Sequence, residues 1–60
     1  MDAHRAQEIA GSPIMVNVTH NGTPVYIQHV DESMQTARIY PLDNPGNERE
    51  VSVANLQEHE

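Results

Sequence analysis

The sequence contains no cysteine, no lysine, no tryptophan and no phenylalanine. Without cysteine, the chain can form neither disulfides nor the thiolate sites that usually hold structural zinc. Because three arginines face nine acidic residues, the net charge is −6, and no basic stripe for phosphate groups can be built. The composition therefore disfavours non-specific nucleic-acid binding.

Long apolar runs are also missing. The longest, Ile14-Met15-Val16, is far below the roughly 18 residues needed to span a bilayer, and the N-terminus lacks a basic start followed by an apolar run. We therefore expect a soluble intracellular protein without a membrane segment. Sixty residues allow one small domain, 1–60. A domain of this size buries only about 60% of its unfolded surface, so self-association is an expected source of added stability.

The N-terminal segment has the spacing of a short helix. Asp2 can serve as the N-cap, and Gly11 followed by Pro13 supplies a stop. Apolar residues recur at helical intervals between them, at Ala3, Ala6, Ile9 and Ala10. The pattern predicts a helix over 3–10, which must dock on the rest of the protein because helices under about 12 residues are marginal alone.

From Ile14 the hydrophobic period changes from helical spacing to two, which predicts strands over about 14–20 and 23–30. Asn21-Gly22 is a strong signal for a two-residue type I′ hairpin turn. That turn sets the register, which places Val18 opposite Val25, Val16 opposite Ile27, and Ile14 opposite His29.

Two further strands are predicted, over 36–41 and 49–53, with Ile39 opposite Ile27 and a terminal turn near 54–57. The last residues, Gln57–Glu60, have no apolar anchor and are expected to fray. The predicted fold is α+β and mainly β, with a short N-terminal helix followed by an antiparallel meander of about four strands, as in an SH3-like roll or half-barrel. Its predicted core is Val16, Val18, Val25, Ile27, Ile39, Val51, Val53 and Leu56.

Four histidines raise the possibility of a metal site, but none of them has the spacing of a ligand pair. In the predicted register, His20 and His29 lie about 20 Å apart along the sheet, too far to share one ion within a monomer. We interpret His4, His20, His29 and His59 as solvated or structural groups. The alternative is an intersubunit metal site or a pH-sensing role, since histidine titrates near neutrality.

The remaining polar residues show no arrangement typical of catalysis or nucleotide binding. Ser12, Ser33 and Ser52 lack the glycine pattern of a nucleophile elbow. The acidic pairs Asp31-Glu32 and Glu48 with Glu50 are typical of a solvated surface. Gly11, Gly22 and Gly46 are isolated glycines, typical of helix ends and turns. Tyr26 and Tyr40 could stack on bases, but packing at the edge of the core is favoured. The sequence predicts no catalytic, cofactor-binding or metal-binding residue, no cofactor and no enzymatic activity.

Several segments together resemble one protein family across almost the whole chain. They are Arg5–Ile9, Val16–Val18, Pro24-Val25, Ile27–Glu32, Thr36–Tyr40, Asn44-Pro45 and Val51-x-Val53. The most specific are Ile27–Glu32 and Thr36–Tyr40, which are long and have the same separation as in that family. In these segments the chain resembles the H-type small acid-soluble spore proteins.

The resemblance implies a minor protein that is made in the developing forespore of endospore-forming Firmicutes and retained in the spore core (forespore cytoplasm). It implies no catalytic residue. The DNA-coating α/β-type spore proteins are unrelated in sequence, although Glu8-Ile9-Ala10 is similar to part of the site where the germination protease cuts them. The chain departs from the family at Gln7, where lysine is expected, and in lacking lysine throughout.

Three function hypotheses follow from the sequence. The first is a non-enzymatic structural or storage protein of the spore core, made during sporulation. The second is a protein–protein interaction module or homodimeric adaptor in the forespore, whose mixed outer hairpin face, with Met15 and Tyr26, binds another protein or itself. The third is a weak nucleic-acid binder. We expect a homodimer formed through the outer sheet edge or the helix, a possible spore-core protein partner, and no membrane partner.

Overall fold

A computed structural model describes residues 1–59 of the chain. Its elements are a helix α1 (Ala3–Ala10), strands β1 (Asn17–His20), β2 (Thr23–Asp31), β3 (Thr36–Pro41), β4 (Arg49–Ser52) and β5 (Leu56–His59), and a 3₁₀ turn over Val53–Asn55. All pairings are antiparallel, and the strand order is β4-β3-β2-β1-β5. The predicted class, mainly β with a short N-terminal helix, is confirmed, with one more strand than expected.

The helix begins and ends where its sequence predicts. The Asp2 carboxylate accepts a hydrogen bond from the Arg5 backbone N–H at 2.7 Å, and the Gly11 N–H donates to the Gln7 carbonyl at 3.0 Å. Ala3 and Ala6 are both buried. Their small side chains let the helix lie close to the sheet, so that docking stabilises a segment too short to persist alone.

The turn between β1 and β2 has the backbone that Asn-Gly predicts. Asn21 has φ 51° and Gly22 has φ +80°, both in the left-handed region required by a type I′ turn. His20 pairs with Thr23 and Val18 with Val25. The predicted hairpin register is therefore confirmed next to the turn.

Substitution of Gly22 tests the contribution of this turn to stability. A Cβ at Gly22 meets no atom within 4 Å, so Gly22→Ala adds only backbone strain at positive φ. We expect it to lower the free energy of unfolding by about 1 kcal/mol in urea denaturation. Gly46→Ala is the matched control, because a Cβ there makes ordinary contact at 3.9 Å without positive φ. Equal stability of the two variants would contradict this account of the turn.

The prediction that the first strand begins at residue 14 is wrong, because β1 begins at Asn17. The ladder between β1 and β2 extends only to Val18 and Val25, so the predicted pairs of Val16 with Ile27 and Ile14 with His29 are not part of it. The segment between α1 and β1 starts at a helix that packs on β2 and must cross to the strand beside β2. Pro13 lies in this segment and, having no backbone N–H, cannot donate a hydrogen bond to a strand. This segment therefore diverges from β2, and the Ile14 side chain is 74% exposed.

The pairing of β2 with β3 follows the predicted register through Ile27 and Ile39 and then shifts at a bulge before His29. The connection after β2 is closed by the Asp31 carboxylate, which accepts hydrogen bonds from the backbone N–H groups of Ser33 and Met34 and from the Ser33 hydroxyl. Beyond the turn, β3 pairs with β4, where Ala37 lies opposite Val51.

The short connection between β4 and β5 shows that the sheet is curled. In a flat sheet, the two outer strands would be separated by four strand spacings, or about 19 Å. The 3₁₀ turn that joins them has three residues and rises only about 2 Å per residue. The two edges must therefore approach each other, which gives the half-barrel that the sequence predicts.

The prediction of a frayed C-terminal segment is wrong for Gln57–His59, which pair with β1 in strand β5. The predicted terminal turn near 54–57 instead ends at Asn55. Leu56 is only 1% exposed and anchors the strand, and the outer edge of β1 supplies its hydrogen-bond partners. Glu60, part of the same prediction, lies outside the described residues.

The core is aliphatic and lies between the helix and the concave face of the sheet. Its buried members are Ala3, Ala6, Val18, Val25, Ile27, Val30, Ala37, Ile39, Val53 and Leu56. Val16 and Val51, which the alternation placed inside, are only partly buried and pack at its margin. The largest fully buried side chains are Ile39 and Leu56.

Candidate functional site

The structure separates the histidines onto different elements. His4 lies in α1, His20 at the end of β1, His29 in β2 and His59 in β5. The His59 Nε2 lies 2.9 Å from the Thr19 hydroxyl on the neighbouring strand. In residues 1–59, no three side chains of the histidine, cysteine and acidic types come together as a metal site.

The three serines, which lack a nucleophile-elbow pattern, each take part in a local turn. The Ser12 hydroxyl accepts a hydrogen bond from the Ile14 N–H at 3.1 Å, and the Ser52 hydroxyl accepts one from the Ala54 N–H at 3.3 Å. The Ser33 hydroxyl donates to the Asp31 carboxylate at 2.7 Å. These hydroxyls stabilise a helix exit, a 3₁₀ turn and a strand connection.

The two tyrosines form a cross-strand pair. Tyr26 in β2 lies opposite Tyr40 in β3, with ring centroids 5.3 Å apart and ring planes inclined by 33°. Tyr26 is exposed and Tyr40 partly buried, so the pair packs on the sheet surface rather than inside the core. Aromatic pairs at this separation stabilise a sheet.

An ion pair connects the helix with the last strand. The Arg5 Nε donates to Glu58 Oε1 at 2.9 Å, and its Nη2 donates to Glu58 Oε2, which gives a forked pair. Glu8 lies nearby, 3.7 Å from Arg5. The hydrogen bonds from Arg5 lower the pKa of Glu58, and the same bonds raise the pKa of Arg5. A second ion pair joins Arg38 of β3 to Glu48, which directly precedes β4, with 3.6 Å between Arg38 Nε and Glu48 Oε1.

The lowered pKa of Glu58 predicts a loss of stability in acid. In the folded protein the pKa of Glu58 lies below its ordinary value of 4.5, so the ion pair stabilises the protein fully above about pH 4.5. This stabilisation is lost as the pH falls through the lowered pKa of the folded state. The pKa of Asp31 is lowered by the Ser33 hydroxyl, which acts in the same direction. We expect Glu58→Gln to show a smaller fall in Tm between pH 6 and pH 3 than the parent protein. Glu32→Gln, in an exposed turn, is the control; an unchanged acid profile in Glu58→Gln would contradict the assignment.

An exposed apolar surface lies around Met15 and Tyr26, which the sequence placed on the outer face of the hairpin. The apolar patch is formed by Ile14, Met15, Val16, Tyr26 and Leu42. Of these, Ile14 and Met15 are 74% and 66% exposed. The sequence interpretation missed the exposure of Ile14, because the alternating pattern placed Ile14 on the same strand face as Val16 and Val18.

Two shallow grooves flank the patch and share Met15 and Val16 as a common wall. One runs between Ile9 of the helix and Tyr26, with a volume of about 190 Å³. The other, of about 220 Å³, runs between Pro24, Leu42 and His59. Neither groove is lined by an arginine or an acidic residue. The geometry is suited to binding apolar side chains.

The described part of the chain has no helix with the length and apolar composition needed to cross a membrane. No solved structure matches the chain significantly.

Comparison with known proteins gives a consistent family assignment. The model of the small acid-soluble spore protein H family matches residues 1–58. The chain is 63% identical to small, acid-soluble spore protein H of Bacillus licheniformis, over 98% of this chain and 100% of the relative. It is 61% identical to the protein of the same name from Halalkalibacterium halodurans, over 98% of both chains. It is 57% identical to that of Bacillus subtilis, over 97% of this chain and 98% of the relative. The chain therefore belongs to the small acid-soluble spore protein H family.

Proposed function

We propose that this spore protein is a non-enzymatic structural or storage protein of the spore core, made in the forespore during sporulation. The observation that carries the proposal is the use of its reactive side chains in structural contacts. Ser12, Ser33 and Ser52 stabilise turns, while Asp31 closes a connection and Glu58 pairs with Arg5. Family membership over residues 1–58 supports the same role.

The composition also supports the solubility in acid that the family name describes. When its carboxylates are protonated, three arginines and four histidines still carry +7 of side-chain charge. The exposed carboxyl and amide groups remain hydrated, and like charges keep separate chains apart. Solubility in acid is thus consistent with the small aliphatic core and the polar surface.

Fractionation of spores tests the location. An epitope-tagged copy under its own promoter should accumulate only after the forespore has formed, and should appear in the acid extract of decoated, mechanically broken spores. A tagged protein of the spore coat serves as the fractionation control. Recovery with the coat fraction, or synthesis in the mother cell, would overturn the proposed core location.

A second candidate function is a protein–protein interaction module or homodimeric adaptor, and the apolar patch specifically favours it. Single exposed apolar residues are ordinary on proteins, but contiguous apolar surface often marks a contact site. Here the exposed side chains of Ile14 and Met15 lie beside two grooves lined largely by apolar residues. A structural role in the spore core and a contact surface are compatible with each other.

The third candidate, weak nucleic-acid binding, gives a direct prediction. Arg5 lies on α1, Arg38 on β3 and Arg49 on β4, and the first two face glutamates. Because non-specific affinity grows with the number of phosphates neutralised, we expect no binding to duplex DNA tighter than about 100 μM near physiological salt. A fluorescence-anisotropy titration at low and at physiological salt measures this. Micromolar binding that survives at the higher salt concentration would contradict the prediction.

A further inference from the structure

We propose that the apolar patch is a self-association surface whose occupant is a second copy of this chain, related to the first by a two-fold axis near Met15. The inference adds a binding surface to the proposed structural role and does not rest on it. Two expectations from the sequence concern such a contact: a homodimer through the outer sheet edge or the helix, and an outer hairpin face with Met15 and Tyr26 that binds another protein or itself; the inference selects the second.

The distribution of charge on the protein favours the apolar patch as the surface where a second, equally acidic copy binds. The chain has twelve charged residues and a net charge of −6, so two copies repel each other over most approaches. The grooves on both sides of Met15 are nevertheless lined without any arginine or acidic residue. Two chains meeting through the patch would place no ionised carboxylate at the centre of their contact.

The alternative surfaces carry charge. The outer strand β4 presents Arg49 and Glu50, and β5 presents Glu58, all of them exposed. The outside of α1 carries His4, Arg5 and Glu8, also exposed. Close contact at any of these elements would have to take ionised side chains out of water, which costs free energy unless every charge is paired.

The patch also has the shape that two-fold pairing requires, because an isologous interface must be complementary to itself. Ile14 and Met15 project from the surface, and a groove lies on each side of them. After a two-fold rotation, the projecting side chains of one copy can enter the grooves of the other. A single protein face thus supplies both halves of the contact.

The available area is close to the lower limit for a specific dimer. Ile14, Met15, Tyr26 and Leu42 are exposed by 74%, 66%, 41% and 44%. Side chains of this size then contribute on the order of 100 Å² each, or about 400 Å² per copy before the groove walls are included. Specific interfaces begin near 1,000 Å² in total, which is about 500 Å² per copy. The exposed side chains of the patch fall somewhat below that area, which is consistent with weak, concentration-dependent dimers.

Sedimentation equilibrium on the full chain tests the proposal with matched variants. Met15→Glu places a charge at the centre of the patch, and Met34→Glu places the same charge on an equally exposed side chain, 69% against 66%, in the β2–β3 connection. We expect the parent protein and Met34→Glu to change from monomer to dimer between about 10 μM and 1 mM. We expect Met15→Glu to weaken dimerisation by more than about 100-fold, since each dimer would bury two added charges.

Two further measurements distinguish a lost contact from a loss of folding or a general change in charge. Circular dichroism and thermal unfolding should show that Met15→Glu remains folded, because Met15 is exposed in the monomer. Raising the salt concentration should strengthen dimerisation of the parent protein by screening two like-charged chains.

A parent protein that stays monomeric to millimolar concentration would overturn the proposal. So would equal dimerisation of both variants, or binding of the patch to a different spore protein without self-association. Failure of this test leaves spore-core fractionation unaffected, so the two proposals fail separately.

Discussion

Replacing Ile39 by alanine should bring the folded protein to the edge of unfolding under native conditions. Ile39 is 1% exposed and is one of the two largest fully buried side chains. Removing such a side chain costs about 2–5 kcal/mol, through lost burial and the cavity left behind. A domain of this size has a total stability of only about 3–9 kcal/mol. We therefore expect Ile39→Ala to lose most of its folding transition in urea, monitored by far-ultraviolet circular dichroism.

Milder variants separate core packing from other effects of substitution. Ile39→Val keeps most of the buried volume and should cost about 0.5–1.5 kcal/mol. Met34→Ala, on an exposed side chain, should change stability by less than about 0.5 kcal/mol. If Ile39→Ala were no less stable than Met34→Ala, the assignment of Ile39 to the centre of the core would be wrong.

Ending the chain after Leu56 should also destabilise the protein strongly. The truncated protein keeps the buried leucine but loses the residues that pair with β1, since Gln57, Glu58 and His59 lie opposite Thr19, Val18 and Asn17. It also loses the ion pair of Arg5 with Glu58. Because each ladder hydrogen bond contributes about 1 kcal/mol net, we expect a loss of about 2 kcal/mol in urea denaturation.

The double substitution of Gln57 and His59 by alanine is the matched control, because it removes two side chains and keeps the backbone ladder and Glu58. We expect this variant to lose less than half as much stability as the truncated protein. A truncated protein as stable as the parent would show that the segment frays, as its sequence alone indicated.

Local sequence signals predicted most of the fold. The helix bounds follow from Asp2 and Gly11, and the hairpin register follows from Asn21-Gly22, because caps and tight turns depend on residues close in sequence. The pairing of Ile27 with Ile39 also followed from alternation, since a strand with one buried face has only one register that keeps its apolar residues inside.

The two larger errors concern residues whose positions depend on distant parts of the chain. Strand β5 has a single buried residue, Leu56, and no alternation, because its pairing with β1 is non-local. Ile14 continues the alternating pattern of β1, yet docking of the helix on β2 draws the chain away from the sheet before Asn17. The exposure of Ile14 in the apolar patch was missed for the same reason, since the pattern placed Ile14 on the inner face of a strand that in fact begins three residues later.

The position of β5 in the chain has a consequence for how the protein folds during synthesis. Every other element precedes β5, yet its partner β1 lies near the start of the chain. While residues 56–59 are still being made, the outer edge of β1 is unpaired and the apolar side chain of Leu56 is absent from the core. Such non-local pairing slows folding, because the intervening chain must be ordered before the contact stabilises it. The outer edge of β1 therefore stays open until β5 has left the ribosome and paired with it, and fast pairing limits the time in which this edge can aggregate.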